Sequence, residues 1–195
     1  MTRVAVAISL AIVDVHKIFG ETRALAGISF DIAQGETVAV LGPSGCGKST
    51  LLNLIAGLEP PDQGNILWDG VSLADTPPYK RGFGLMFQDF ALFPHKNVFD
   101  NVAFGLQMAG LSKPEIQARV GETLELVGLP AFVERDVNTL SGGEQQRVAV
   151  ARALINNPAL IMAVTSVSQA VGCLCANTIT SWPFSHSVWL HAKKA

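Results

Sequence analysis

The sequence predicts an α/β fold in which a helical insertion interrupts the sheet-forming core and the C-terminal stretch stands apart from the rest. Three observations carry this reading. Thr37-Val38-Ala39-Val40-Leu41 is a continuous apolar run that opens into a Gly-rich turn and a helical pattern. Strand-like and helix-like stretches alternate along the chain, and the pattern turns helical after about Phe90. Beyond Ala163 the composition changes abruptly. The 195 residues set a soft prior of one domain. With 49% hydrophobic and 15% charged residues the chain has ample apolar material for a core, and disorder is excluded for most of it. A net charge of −2 argues against a nucleic-acid partner, which calls for a clustered basic excess. Every acidic residue lies between Asp14 and Glu144, so residues 145–195 contain none.

The elements follow in order. Met1-Thr2-Arg3 and the apolar stretch Val4 to Val13 read as a strand more readily than as a secretory leader, because Val4, Val13 and Val15 are β-branched and Asp14 and His16 break the run. Residues 10–41 read as two or three strands with turns at Phe19-Gly20-Glu21 and Gln34-Gly35-Glu36, and Thr37–Leu41 as a strand buried on both faces. Ser49 to Leu58 has helical spacing, with Gly57 as its stop. Ile66 to Val71 reads as a hairpin turning at Asp69-Gly70. Ser112 to Val127 is a helix with a capping box from Ser112 and Glu115, and Ser141 to Asn156 a second, ended by Asn157-Pro158. No apolar run reaches the length of a membrane-spanning helix. Cys46, Cys173 and Cys175 have neither disulfide-framework nor metal-site spacing and imply a reducing compartment.

Two motifs carry chemistry. Gly42-Pro43-Ser44-Gly45-Cys46-Gly47-Lys48-Ser49-Thr50 matches G-x-x-x-x-G-K-[ST] between a buried strand and a helix. The glycines let successive backbone N–H groups turn inward at a helix N-terminus and make an anion cradle. Lys48 is placed to reach the β- and γ-phosphates of a nucleotide, and the Ser49 hydroxyl to bind Mg²⁺. The second motif is Leu140-Ser141-Gly142-Gly143-Glu144-Gln145-Gln146-Arg147. Ser141 and Glu144 make a capping box. Two glycines in a first helical turn, however, weaken a helix by about 1 kcal/mol each, which makes sense where something approaches that backbone closely.

With both motifs in place the chain resembles the ATP-binding subunits of ATP-binding cassette (ABC) transporters, over roughly residues 10 to 163. Gly42–Thr50 resembles their Walker A loop and Leu140–Gln145 their signature sequence. The resemblance implies a RecA-like P-loop NTPase core (1–89 and 143–163), an ABC-type helical subdomain (about 90–142) and an atypical tail (164–195). It further implies that Phe19 stacks on adenine, although an ordinary core aromatic is the alternative at that position, and that Gln88 contacts Mg²⁺ and the attacking water. ATP and Mg²⁺ are the implied cofactors. The implied partners are a second ATP-binding subunit in a head-to-tail dimer, in which Ser141, Gly142, Gly143 and Gln145 close on the nucleotide of the other copy, and membrane-spanning permease subunits faced by residues 93–106. A periplasmic or extracellular solute-binding protein would act indirectly, and the chain would sit on the cytoplasmic face of the membrane. Importers of polyamines, ferric iron, thiamine and oxyanions share such motifs. A soluble ABC ATPase of DNA repair fits less well, because the insertion is short and has no coiled-coil heptads.

The family pattern breaks after Asn157-Pro158. Ala159 to Ala163 supplies the expected apolar strand, but Val164-Thr165-Ser166 stands where an aspartate and a catalytic glutamate belong. His186 and His191 do not resemble the family's switch histidine. Residues 164–195 hold two of the three cysteines, two of the three tryptophans and no acid. The expectation is a truncation or reading-frame change near Ala163, with a divergent C-terminal strand region as the alternative. Val-Thr-Ser can be encoded so that a shifted frame reads Asp-Glu, although that frame would not supply the proline usual next. An unfinished sheet edge beside the Walker B strand and impaired ATP hydrolysis follow from this reading. The rival function is a non-hydrolysing nucleotide-binding remnant with no transport role. Reading the gene past codon 163 in the other frames decides the first point: a frame encoding the missing glutamate is expected, and its absence overturns the frameshift.

Overall fold

The computed structural model describes residues 8–86, 89–165 and 187–192. The chain divides into two compact units, Met1–Phe83 with Ala159–Ala195, and Gly84–Pro158.

In the first unit, strands β1 (Ile8–Phe19), β2 (Thr22–Ala33), β4 (Gln63–Trp68) and β5 (Val71–Ser72) form an antiparallel sheet of order β2-β1-β4-β5. Leu10 and Ile12 point into the core at the two-residue period of a strand. The register against β2 then shifts between Ile12 and Val15, with Asp14 in the left-handed region at φ 47°. This bulge flips the alternation, so Val15 and Lys17 are the buried residues beyond it. The β4–β5 hairpin turns at Asp69-Gly70, both at positive φ, as the sequence predicts.

Strand β3 (Thr37–Leu41) leads into helix α1 (Lys48–Ala56), which ends at Gly57 in the left-handed conformation. Leu51, Leu52, Leu54 and Ile55 fill the apolar face of α1. Its C-terminal carbonyls are held by Arg81, which donates to Leu54 O at 3.1 Å and Ile55 O at 2.8 Å, and also to Leu73 O and Thr76 O. Burial lowers the pKa of this guanidinium.

Strands β7 (Leu160–Thr165) and β8 (Ser187–Ala192) complete the unit, with β8 between β3 and β7 and antiparallel to both. Two expectations change here. The flank of β7 expected to be open is occupied by β8, and among the described residues β3 is an edge of this sheet. As an edge strand β3 alternates between exposed and half-buried residues and is not covered on both faces.

The chain leaves the first unit within β6 (Phe83–Met86). The second unit packs α2 (Val98–Met108), α3 (Lys113–Leu126) and α4 (Gly142–Leu154) around Val98, Val102, Leu106, Ile116, Val120, Leu124, Val148 and Ala151, mostly at helical i,i+4 spacing. Ser112 is the N-cap of α3 but its side chain makes no cap bond, so the predicted capping box does not form there. Glu115 pairs instead with Arg119 at 3.0 Å, one turn on. Among the described residues no helix is long and apolar enough to cross a membrane.

One buried polar side chain organises the start of this unit. Asn101 is fully buried on α2, accepts from Phe93 N at 2.8 Å and donates to the carbonyls of Phe93, Lys96 and Asn97. It pins the 93–97 loop onto the helix. Asn101→Ala is expected to destabilise the protein by about 1–3 kcal/mol, since buried backbone groups lose their partners. Urea denaturation measures this, and a loss below about 0.5 kcal/mol contradicts it.

Candidate nucleotide-binding site

The Gly42–Thr50 loop takes its shape from the strand before it, the helix after it and a neighbouring strand. Cys46 N–H bonds to Pro43 O at 3.4 Å to close the turn. Gly47, at φ 92°, is the N-cap of α1. A Cβ on it would collide with the Ala24 carbonyl oxygen and lie 2.9 Å from Leu25 Cδ2, both on β2. Handedness and lack of space thus both require glycine.

The helix that starts here has no side-chain cap and no acidic residue in its first turn. The first N–H groups of a helix have no intrahelical acceptors, and the dipole concentrates positive potential around them. Lys48 is buried, with Nζ 2.8 Å from Gly42 O, 2.6 Å from Pro43 O and 3.3 Å from Cys46 Sγ. The ammonium therefore sits within the curve of the loop and adds to the same positive field. Ser44, Gly45 and Ser49 are exposed and Thr50 half-buried; Cys46 is an exposed free thiol. These features fit a polyphosphate.

Phe19 ends β1 and pairs with Thr22 across the hairpin, two residues from the Ala24 carbonyl that meets Gly47. The structure thereby brings the hairpin end and the Gly42–Thr50 loop together. Phe19 is 47% exposed, so it is not an ordinary core aromatic.

The other predicted residues lie in the second unit. Ser141 caps α4 through a complete capping box: its N–H and Oγ each lie 2.7 Å from Glu144 Oε2, and Glu144 N–H donates to Ser141 Oγ at 3.4 Å. The Ser141 hydroxyl and N–H hold the Glu144 carboxyl below its ordinary pKa, with smaller help from Arg135 and Arg147. Gln145 Nε2 donates to Val137 O at 3.0 Å. A Cβ on Gly142 or Gly143 would meet nothing within 4 Å, so packing inside this unit does not demand glycine at either position.

Gln88 lies outside the described residues. Two residues beyond it, Phe90 and Ala91 both take left-handed φ, and their carbonyls accept at 2.7 Å from the two Nη atoms of Arg152 on α4. Sequence reasoning missed Arg152, and the pattern of α4 held no signal for it. It also missed Lys17, which alternation places on the same strand face as Phe19.

A Mg²⁺ site is less complete. Ser49 offers a hydroxyl, but β7 ends in Ala163-Val164-Thr165 without a carboxylate. Among the described residues no cluster of His, Cys, Asp and Glu could hold a metal. The protein groups present do not make a full Mg²⁺ site. A cleft of about 650 Å³, lined by Leu54, Gly57, Pro60, Leu73 and Arg81 among others, lies at the opposite end of α1 from the loop, and the Arg81 guanidinium there is engaged by four backbone carbonyls.

A strand, a glycine turn with its lysine inside, and an uncapped helix define a P-loop nucleotide-binding fold. Residues 25–163 match the family described as ABC transporter, and the chain belongs to it. The match ends at Ala163, where the sequence leaves the family pattern. The chain is 56% identical over 144 residues to an Fe(3+) ions import ATP-binding protein (FbpC) of Streptomyces avermitilis, covering 74% of this chain and 42% of that one. It is 49% identical over 155 residues to a spermidine/putrescine import ATP-binding protein (PotA) of Rubrobacter xylanophilus, covering 80% and 41%. It thus spans less than half the length of these relatives. Among solved structures it resembles CbiO1 of Clostridium perfringens, part of the ABC transporter complex CbiONQ, with TM-score 0.70 and 30% identity over 80% of this chain and 64% of that one.

Gly47→Ala tests the loop geometry. The added methyl must displace β2 or the loop, so ATP affinity is expected to fall by at least about tenfold, equivalent to about 1.4 kcal/mol. Isothermal calorimetry reads the change, and unaltered affinity contradicts the assigned contact.

Proposed function

We propose that this chain is the ATP-binding subunit of an ABC importer, with ATP held at Gly42, Ser44, Gly45, Cys46, Gly47, Lys48, Ser49 and Thr50 and its adenine on Phe19. The observation that carries this reading is the uncapped start of α1, with Lys48 inside the loop and Gly47 seated on β2. The relatives support import: two of them are named as import ATP-binding proteins, one for ferric ions and one for polyamines. Membrane-spanning permease subunits would be the partners, approached through residues 93–106, with a solute-binding protein engaged only indirectly. The chain would attach peripherally to the cytoplasmic face of the membrane.

Ser141, Gly142, Gly143 and Gln145 would act in trans, in a head-to-tail dimer with a second ATP-binding subunit. The open space beside Gly142 and Gly143 favours this, since their own unit does not require glycine there. A phosphate group from another copy can approach that backbone and meet the α4 N-terminus.

Mg²⁺, when bound, would neutralise phosphate charge in phosphoryl transfer, with Ser49 and, by family resemblance, Gln88 as its protein contacts. The carboxylates that would complete its shell and orient water are missing from the end of β7. Slow turnover follows. The same observation favours a second reading, in which the chain binds nucleotide but neither hydrolyses it nor serves transport. Calorimetry with Mg-ATP beside a phosphate-release assay tests both. ATP binding is expected, weakened at least about tenfold by Lys48→Ala. Steady-state hydrolysis is expected roughly 100-fold or more below that of an intact relative. Turnover at the relative's rate overturns the impaired-hydrolysis assignment, and Lys48→Ala binding ATP like the wild type overturns the site.

A further inference from the structure

Lys17 is a buried cation on the core-facing side of β1. Its inward direction follows from the bulge at Asp14, which flips the strand's alternation so that Val15, Lys17 and Phe19 share a face. Burying an ammonium is costly unless it is paired and hydrogen-bonded. Here it is: Nζ donates to Pro60 O at 2.8 Å and Asp62 Oδ1 at 3.3 Å, and lies 3.7 Å from Glu59 Oε2. Asp62 in turn grips the strand twice, accepting from Ile18 N–H at 2.6 Å through Oδ2 and donating its own N–H to His16 O at 3.0 Å. The last residues of β1 are thus fastened to the loop that follows α1. The Ile18 N–H bond holds the Asp62 carboxyl below its usual pKa, with Lys17 contributing.

What this clamp delivers is a placed ring. Nζ of Lys17 lies 5.3 Å from the centroid of Phe19, within cation–π range, while the Phe19 residue remains half exposed. An aromatic at the end of a hairpin would otherwise lose side-chain freedom on stacking against a flat ligand, and fixing it beforehand removes part of that cost. We infer that Lys17, anchored by Asp62 and Pro60, is a positioning residue that presents the free face of Phe19 to the purine base of a nucleotide. The inference rests on the proposed stacking of adenine on Phe19. It assigns to Lys17 a role toward the base and none toward the phosphates.

That division supplies the test, on the full chain, with ATP and inorganic tripolyphosphate as calorimetric probes. Lys17→Met is expected to weaken ATP about three- to tenfold, matching a cation–π and ordering contribution, and to leave tripolyphosphate unchanged. Lys17→Arg, which keeps the cation, should recover most of the loss. In a Phe19→Ala background Lys17→Met should have no further effect. Equal weakening of both probes, or an undiminished effect without Phe19, overturns the assignment and leaves Lys17 merely structural. Phe19→Ala binding ATP like the wild type overturns the stacking reading itself, and the inference with it. If Phe19→Ala weakens ATP but Lys17→Met does not, only the role of Lys17 falls. Should Lys17→Met fail to fold, Asp62→Asn removes the nearer of the two counter-charges and leaves Glu59; it should weaken ATP by a smaller factor and spare tripolyphosphate, and an equal loss of both refutes the clamp.

Discussion

Gly47 packs its bare Cα against the Ala24 carbonyl, and through that contact a loop from one sheet is moulded by a strand of another. The consequences run in both directions along the chain. Toward α1, the left-handed Gly47 ends the loop and starts a helix whose first N–H groups have no side-chain acceptor. Toward β2, the contact sets the hairpin end, and with it Phe19, beside the loop. The far end of α1 is restrained as well, because Arg81 and Gly57 hold its last carbonyls and the segment after it is fastened to β1 through Asp62. A helix held at both ends offers its dipole at a fixed place, which an anion site needs.

The second sheet shows what the tail does. Because β8 runs antiparallel to both β3 and β7, those two strands are parallel to each other, and Leu41, Ser187 and Thr165 stand in one row where the Gly42–Thr50 loop begins. The end of β7 is therefore level with the end of β3. This chain carries valine and threonine at the end of β7 and no carboxylate. The backbone ladder is satisfied even though the tail departs from the family in composition, since strand pairing uses main-chain groups and asks little of the side chains.

Much of the fold was legible in the sequence. The helix stop at Gly57, the Asp69-Gly70 turn and the capping box at Ser141 each depend on residues within a few positions of one another, and each is present. The two misreadings share a cause. The expected burial of β3 on both faces and the expected free flank of β7 both depended on which strand lies between them, and no local pattern reports that. The Ser112 capping box failed on a smaller scale: Glu115 found a partner in Arg119 one turn along.

By itself the sequence determined where the candidate anion loop lies, because the glycines and lysine of G-x-x-x-x-G-K-S are local, and it determined the absence of acids beyond Glu144, because composition needs no structure. Only the tertiary structure decided that Gly47 is required by a carbonyl more than twenty residues away in the chain, that a tail strand fills the flank of β7, and that Lys17 stands over Phe19. The reason is physical. Turns and caps are closed by neighbours in sequence, whereas close approach, strand order and the pairing of a buried charge depend on groups that only folding brings together.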